Sequence, residues 1–508
     1  MFLNKTPDAN RVFRRVLLAI GIYGVISFSW GAALKIGYIY GTNLGEAPVS
    51  QAITWISQGK NPYHDLRVPP YLLVPYGPVY LLAAAGPRML LSGPFVAGRL
   101  VTFLASLGTA WLIYRILRLQ RTGRTLSAAA AALFLSGPYA VRWGVQVNVD
   151  MSGIFLSAAA LLFFLRSKRI DRFFWFGAAA AIAAFFTKTS MAAVGAAYFF
   201  YLVTQKRFRE AILLFAAIGT AAALIYGFLM LWTGGQYYFH TTYEIGKRHF
   251  YPAFIWNNWA HAVRDLPVYV WATFFIFWRA LRSRKVDLLT VYLLLSVFLT
   301  VSMGKQGSDT NYLLEWCLLS SVAMGLLADT LSGVSLPTAG SVPFLARLGW
   351  IRVLALWLLV IQACLWVGPP QNLLSKPEYY RKEKEFYDKF SKMINGLPGK
   401  ILSEDMGLLV ANGREIYYEP FPMGQMSYSG IWDQDLIIRE LERREFSMAI
   451  LYSLAPRLIR NRMFTEKFMD MFNRRYILIG GVMMPHQVDK DHPTAVFAYR
   501  PRNDSEIS

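Results

Sequence analysis

Between two long apolar runs the chain places GKQGSDTNYLLE (304–315), which carries Lys305, Asp309, Asn311, Tyr312 and Glu315. Charge is costly inside apolar surroundings unless it is paired or hydrogen-bonded, so ionisable groups in membrane-like sequence are candidate functional groups. Four further segments bring similar residues. Glu46 and Asp65 lie in YGTNLGEAPVSQAITWISQGKNPYHDLRVPPYLLVPYGP (40–78), and Asn148 and Asp150 in RWGVQVNVDMSG (142–153). Lys188 lies in FFTKTS (185–190), and His240, Lys247, Arg248 and His249 in GGQYYFHTTYEIGKRHFYPAFIW (234–256). Together they offer carboxylates that could catalyse or position a ligand, amides, and cations. Each also has a structural reading. Lys188 and Lys305 could snorkel to lipid phosphates. Asp150 could cap the helix that begins near Met151, and Asp309 could do the same for its own segment. The histidines sit among aromatics that suit a membrane interface or a gate over a lipid substrate. Asn311 and Glu315 are one helical turn apart, and Lys305 is a plausible partner for Glu315. Glu46 precedes Pro48 at the start of an amphipathic pattern formed by Val49, Ile53 and Ile56, where the helix dipole favours an acid.

These segments need elements that bring them to one level. Of the 508 residues 55% are hydrophobic, and apolar runs of membrane-spanning length recur to about residue 368. The strongly basic linkers RILRLQRTGR (115–124), RSKRIDR (166–172), QKRFRE (205–210) and RALRSRKVD (279–287) belong on the cytoplasmic side by the positive-inside rule. That constraint makes 76–91 a helix lying on the outer face, because a spanning helix there would move 115–124 outside. The spans are then about 16–40, 93–115, 125–143, 148–166, 172–187, 189–204, 209–232, 267–281, 286–303, 310–330 and 350–368. The chain reads as an α-helical polytopic membrane protein of about eleven spans, with its N-terminus inside and its tail outside. A second surface helix covers about 46–58. All five polar segments then face outward, towards a shared cavity.

Residues 1–370 carry 32 Lys and Arg against 12 Asp and Glu, whereas 371–508 carry 20 against 19. The basic excess thus belongs to the membrane part, and no motif points to nucleic acid. Residues 371–508 read as a soluble extracytoplasmic α/β domain. Its expected strands are KILSED (400–405), EIYYEP (415–420), MAILYSL (448–454), YILIGG (476–481) and AVFAYR (495–500), with a helix over DQDLIIRELERRE (433–445). Cys317 and Cys364 both fall in spans and read as small buried apolar residues.

The segments GEAPVSQAITWISQGKNPYHDL, YGPVYLLAAAG, VNVDMSG, TKTS and GKQGSDTNYLLE resemble the GT-C superfamily of polytopic glycosyltransferases. The likeness is to bacterial relatives of the protein O-mannosyltransferases and to the lipid A aminoarabinose transferase. Residues 401–453 resemble the outer domain of some bacterial members. The resemblance implies transfer of a sugar from a polyprenyl-phosphate donor to a lipid, glycan or protein acceptor, at the outer face of a bacterial cytoplasmic membrane. It places Glu46 at the family's acidic position. Many relatives carry an Asp-Glu pair where this chain has Gly45-Glu46, so Asp65 or Asp150 could supply a second acid. A base for the acceptor hydroxyl suits Glu46 or Asp150. Fixed cations for the leaving phosphate suit Lys188, His240, Lys247, Arg248 and Lys305. Asn311 or Tyr312 suits sugar hydroxyls, and Asp65, Asn148 and Glu315 complete the substrate-binding set. A divalent metal could share the work, although no ligand spacing compels one. No Walker or Rossmann signature is present, as expected of an enzyme without nucleotide sugars. A polyprenyl-linked lipid or sugar transporter is the alternative; it asks for polar groups through the midplane and for internal symmetry.

Overall fold

The computed structural model describes residues 9–333, 343–452, 462–483, 495–503 and 505. Helix α1 (Ala9–Ile36) leads into the short helices α2 (Glu46–Ser57) and α3 (Pro78–Leu90), and α4 (Val96–Leu119) follows. The bundle continues through α5 (Arg124–Ser136), α6 (Pro138–Trp143), α7 (Asp150–Arg166), α8 (Arg172–Phe185), α9 (Ala193–Thr204) and α10 (Phe208–Trp232). Three small pieces come next: α11 (Gln236–Tyr238), a π-helical turn (Phe239–Tyr243) and α12 (Glu244–Lys247). Then follow α13 (Pro252–Asp265), α14 (Pro267–Ser283), α15 (Leu288–Leu299), α16 (Leu314–Gly333) and α17 (Pro343–Val367). A helix thus occupies each of the eleven expected spans and both expected surface positions. Among the described residues, five helices are long and apolar enough to cross a membrane by themselves. The shorter ones are extended by adjoining turns, such as Thr189–Ala192 before α9 and Thr300–Gly304 after α15.

Local chemistry sets several of these boundaries. The basic linkers RSKRIDR and RALRSRKVD each carry near their end an acid that caps the next helix. Asp171 accepts from the Phe174 amide, and Asp287 from the Thr290 amide. Arg118, Arg166 and Arg282 fall in the last turns of α4, α7 and α14, where the helix dipole favours cations. α16 is central: its most apolar stretch is 83% buried, against 11% for α10, which turns Phe215, Leu224, Phe228 and Leu231 outward. Cys364 is exposed on α17 rather than buried, while Cys317 is buried on α16. Alanines of α5 let α1 approach closely, and α4 lies against both α5 and α7.

The tail opens with a helix the sequence reading lacks, α18 (Gln371–Asn395). Its polar face is laced by Arg381–Glu385 and Lys384–Asp388 pairs, while Phe386, Tyr387, Phe390 and Ile394 are buried. Beyond it, β1 (Lys400–Ser403), β2 (Phe446–Leu451), β3 (Tyr476–Met483) and β4 (Ala495–Pro501) form one mixed sheet in the order β1-β2-β4-β3. β1 and β2 are parallel, and the other pairs antiparallel. Helices α19 (Met406–Ala411), α20 (Pro420–Tyr428), α21 (Asp435–Glu442) and α22 (Glu466–Arg475) surround the sheet. EIYYEP is not a strand of this sheet. Its aromatics pack within the tail domain, Tyr418 on Phe464 and Phe468 and Tyr417 on Phe446, while its backbone meets the first loop: Tyr418 forms an isolated bridge with Tyr71. Nearby, Trp432 donates to Leu66 O at 2.7 Å.

Candidate active site

Asp150 begins α7 and its side chain is fully buried. Oδ1 accepts from Lys188 Nζ at 2.7 Å, and Oδ2 accepts from Asn311 Nδ2 at 3.0 Å. Lys188 Nζ also lies 3.9 Å from the centroid of the Tyr312 ring. Three segments far apart in sequence therefore meet at one point. Asn148 supports it from below, with Oδ1 accepting the Asp150 amide at 3.0 Å. Asn148 is thus a turn residue of this cluster. The other end of the Asn311 amide is left open: its Oδ1 is buried with no hydrogen-bond partner among the described residues, and Gln306 Oε1 is in the same condition. A buried acceptor without a donor is costly, so both mark places for an incoming hydroxyl or amide.

A close backbone approach seats the first loop against Lys188. A methyl group at Gly77 would lie 1.9 Å from Phe186 O, so only glycine lets the chain pass there. This contact holds Tyr76 within electrostatic reach of Lys188, Asp150, Tyr312 and Arg248. Arg248 follows α12 and is gripped by Glu244, which accepts from Nε at 2.8 Å and from Nη2 at 2.9 Å. The 304–306 stretch pairs with 249–251 through Tyr251 N to Gly304 O at 2.6 Å and Gln306 N to His249 O at 2.9 Å. Lys305, half-buried, donates to Ile245 O at 3.3 Å. Lys247 is exposed at the rim, 5.6 Å from the Tyr243 ring. Cations thus gather around Tyr76 and Tyr312 at the end of the bundle that carries α2, α3 and the tail.

Four expectations need correction. Glu46 is not open to this space. Its Oε1 accepts from Arg99 Nε at 2.9 Å and Val147 N at 2.8 Å, and its Oε2 from Arg99 Nη2 at 2.7 Å, Thr42 N at 2.7 Å and Thr42 Oγ1 at 3.0 Å. Both side chains of the pair are buried. Burial alone would raise this carboxyl, but the Arg99 guanidinium outweighs it and holds the group at about 2. A carboxylate so saturated is a poor proton acceptor. His240 is not a cation for a phosphate. Its Nδ1 accepts the Val74 amide at 3.0 Å, its Nε2 lies 2.8 Å from His64 O, and burial lowers its pKa to about 4. It is a neutral strap between the aromatic segment and the first loop. Glu315 has the Tyr292 hydroxyl as its donor rather than Lys305. Asp65 is spent on Arg67 beside it, at 2.6 Å on the surface. Asp309 is as expected a cap, its side chain accepting the Thr310 amide at 2.6 Å, and it also pairs with Arg142 at 2.9 Å.

Arg99, Tyr76, Glu244 and Glu419 are the residues the sequence reading missed. Arg99 carried a signal, a lone charge near the start of an apolar span. Among the described residues no group of three His, Cys, Asp or Glu side chains is placed to hold a metal ion.

The family model for dolichyl-phosphate-mannose-protein mannosyltransferases matches residues 75–232. A second family model, MASE11, matches residues 248–339. No curated protein matches the sequence. Among solved structures, ArnT from Cupriavidus metallidurans bound to undecaprenyl phosphate aligns with a TM-score of 0.55 at 12% identity, covering 96% of this chain and 97% of that one. Its apo state gives a TM-score of 0.54 at 13% identity with the same coverage. The apo oligosaccharyltransferase of Archaeoglobus fulgidus aligns with a TM-score of 0.50 at 11% identity, covering 95% of this chain and 74% of that one. In its fold, and through the matched mannosyltransferase region, the chain resembles the GT-C superfamily of polytopic membrane glycosyltransferases.

Proposed function

We propose that this protein moves a sugar from a polyprenyl-phosphate donor to a hydroxyl-bearing acceptor at the outer face of a bacterial cytoplasmic membrane. The observation that carries the reading is the Asp150–Lys188–Asn311–Tyr312 cluster at the tail end of the bundle. As the bond between the sugar and phosphate breaks, negative charge grows on the leaving phosphate. Cations fixed in advance stabilise that charge without reorganising. Lys188 is held by Asp150 and Arg248 by Glu244, so both present charge from locked positions, with Lys305 and Lys247 towards the rim. Asp150 is a positioning residue in this scheme, because both of its oxygens are already occupied. The unpartnered Asn311 Oδ1 is suited to a sugar hydroxyl.

The lipid part of the donor also has a complement. A groove of about 390 Å³ runs between α8, α9 and α10, lined by Phe185, Ala192, Phe199, Phe215 and Ile218 among other apolar side chains. Phe185 and Ala192 flank the turn that carries Lys188, so a chain in the groove would deliver its phosphate to that turn. The placement of the cluster at helix ends, rather than at mid-membrane, favours transfer over transport.

Binding of undecaprenyl phosphate to the purified protein tests this. Lys188→Met should weaken it by roughly 10- to 100-fold, the size of a lost hydrogen bond to a charged group. The variant leaves Asp150 buried and unpaired, so Asp150→Asn/Lys188→Met is the companion. It should recover thermal stability while binding stays weak. Unchanged affinity in both variants would remove Lys188 from the donor site.

A further inference from the structure

The carboxylates nearest the cations are almost all committed. Both oxygens of Asp150 are taken by Lys188 and Asn311, and both of Glu244 by Arg248. Both of Glu46 are held by Arg99 and backbone amides, and Glu315 lies within the bundle on Tyr292. One carboxylate near these cations differs, and it comes from the tail. Glu419 stands at the head of α20 and is 8% exposed. The first loop clips it in place from both sides. Its amide donates to Tyr71 O at 2.9 Å, the Tyr71 amide donates to Tyr417 O at 2.8 Å, and the Leu73 amide donates to Glu419 Oε2 at 3.0 Å. No described group donates to its Oε1. The charged groups it faces are Arg248 and Glu244. The same turn reaches the 304–315 wall. A methyl at Gly307 (φ +83°) would lie 3.0 Å from Phe421 and 3.4 Å from Arg248 Nη1.

From this geometry we propose that Glu419 is the general base of the transfer, supplied to the membrane site by the tail domain. The inference rests on the reading given above. The acceptor oxygen attacks the anomeric carbon while its proton passes to Glu419 Oε1. The bond from that carbon to the phosphate oxygen breaks, and the electron pair leaves with the polyprenyl phosphate between Lys188 and Arg248. The Leu73 amide fixes the other carboxylate oxygen, which aims Oε1 away from the loop. Burial raises the Glu419 carboxyl to about 8, against the opposing pull of the Leu73 amide and Arg248. A base titrating near working pH combines availability with driving force.

The full-length protein in detergent, given undecaprenyl-phosphate-linked mannose or glucose with water as the acceptor hydroxyl, is the test; release of undecaprenyl phosphate and free sugar is followed against pH. Glu419→Gln keeps an oxygen for the Leu73 amide but cannot take a proton. It should lower turnover by about 10²–10⁴-fold and abolish the rise in rate between about pH 7 and pH 8, with undecaprenyl phosphate affinity unchanged. Glu419→Asp should retain that rise at reduced turnover. Wild-type turnover and pH profile in Glu419→Gln overturn the inference and leave the donor site standing. Equal losses in both variants accompanied by a lowered unfolding temperature mark a structural role and also overturn it. Failure of the wild-type protein to bind undecaprenyl phosphate overturns the donor reading itself, and this inference with it.

Discussion

Glu46 and Arg99 illustrate how far a side chain's surroundings decide its role. Position and type make Glu46 the obvious acid of the first loop. Its five hydrogen bonds instead make it a fastener. Arg99 reaches past it to the carbonyls of Lys35, Tyr38 and Tyr40, joining the end of α1 to the starts of α2 and α4. Removing one member of such a pair strands the other as a buried charge, at a cost of about 3–5 kcal/mol. Glu46→Gln should therefore lower the unfolding temperature sharply, and Glu46→Gln/Arg99→Met should recover much of the loss. The depressed carboxyl also fixes the sign of its pH dependence. Its stabilisation is complete above the ordinary carboxylate range and disappears as pH falls from about 4.5 towards 2. Thermal unfolding of the wild type and the two variants at neutral and acid pH measures both effects; an unfolding temperature unmoved by Glu46→Gln would refute the fastener.

At the scale of elements, the meeting of the first loop with α8 is the contact on which the site's geometry depends. Gly77→Ala forces a methyl into Phe186 O, and overpacking of this kind costs about 1–3 kcal/mol. The variant should lose undecaprenyl phosphate binding as Tyr76 and the Lys188 turn separate; wild-type affinity would show that the approach is not needed. The helices themselves were legible in the sequence, because apolar runs bounded by basic linkers have few other solutions in a bilayer. A helix is present at the 76–91 stretch as α3, and its place on the outer face is argued from charge alone. Lys188, Asp150 and Asn311 were legible as unusual polar residues at helix ends, but their contact with one another was not. Pairing across 38 and 161 residues leaves no local trace in the sequence. α18 escaped because its charged face outweighs its buried one in any average of hydropathy. EIYYEP misled because its alternation serves contact with another segment, which a period-two pattern does not distinguish from a sheet.

At the scale of the molecule, the four basic linkers gather at the end of the bundle opposite the cation cluster. Their charge predicts which end faces the cytoplasm. A reporter fused after Arg124 should read as cytoplasmic, and one fused after Pro370 as external. An external reading at Arg124 would send α3 across the membrane and misassign the side on which the polar cluster lies. The clasp between Tyr71, Leu73 and the 417–419 stretch carries a different consequence, one of time. Leu73 and Glu419 stand 346 residues apart in the chain. At a synthesis rate of about 5–20 residues per second, the first loop is complete roughly 17–70 s before its partner leaves the ribosome. Throughout that interval Leu66, Tyr71 and Leu73, all buried in the finished protein, lack the tail side chains they pack against. Truncation within the tail therefore removes the partners of a segment synthesised long before the cut.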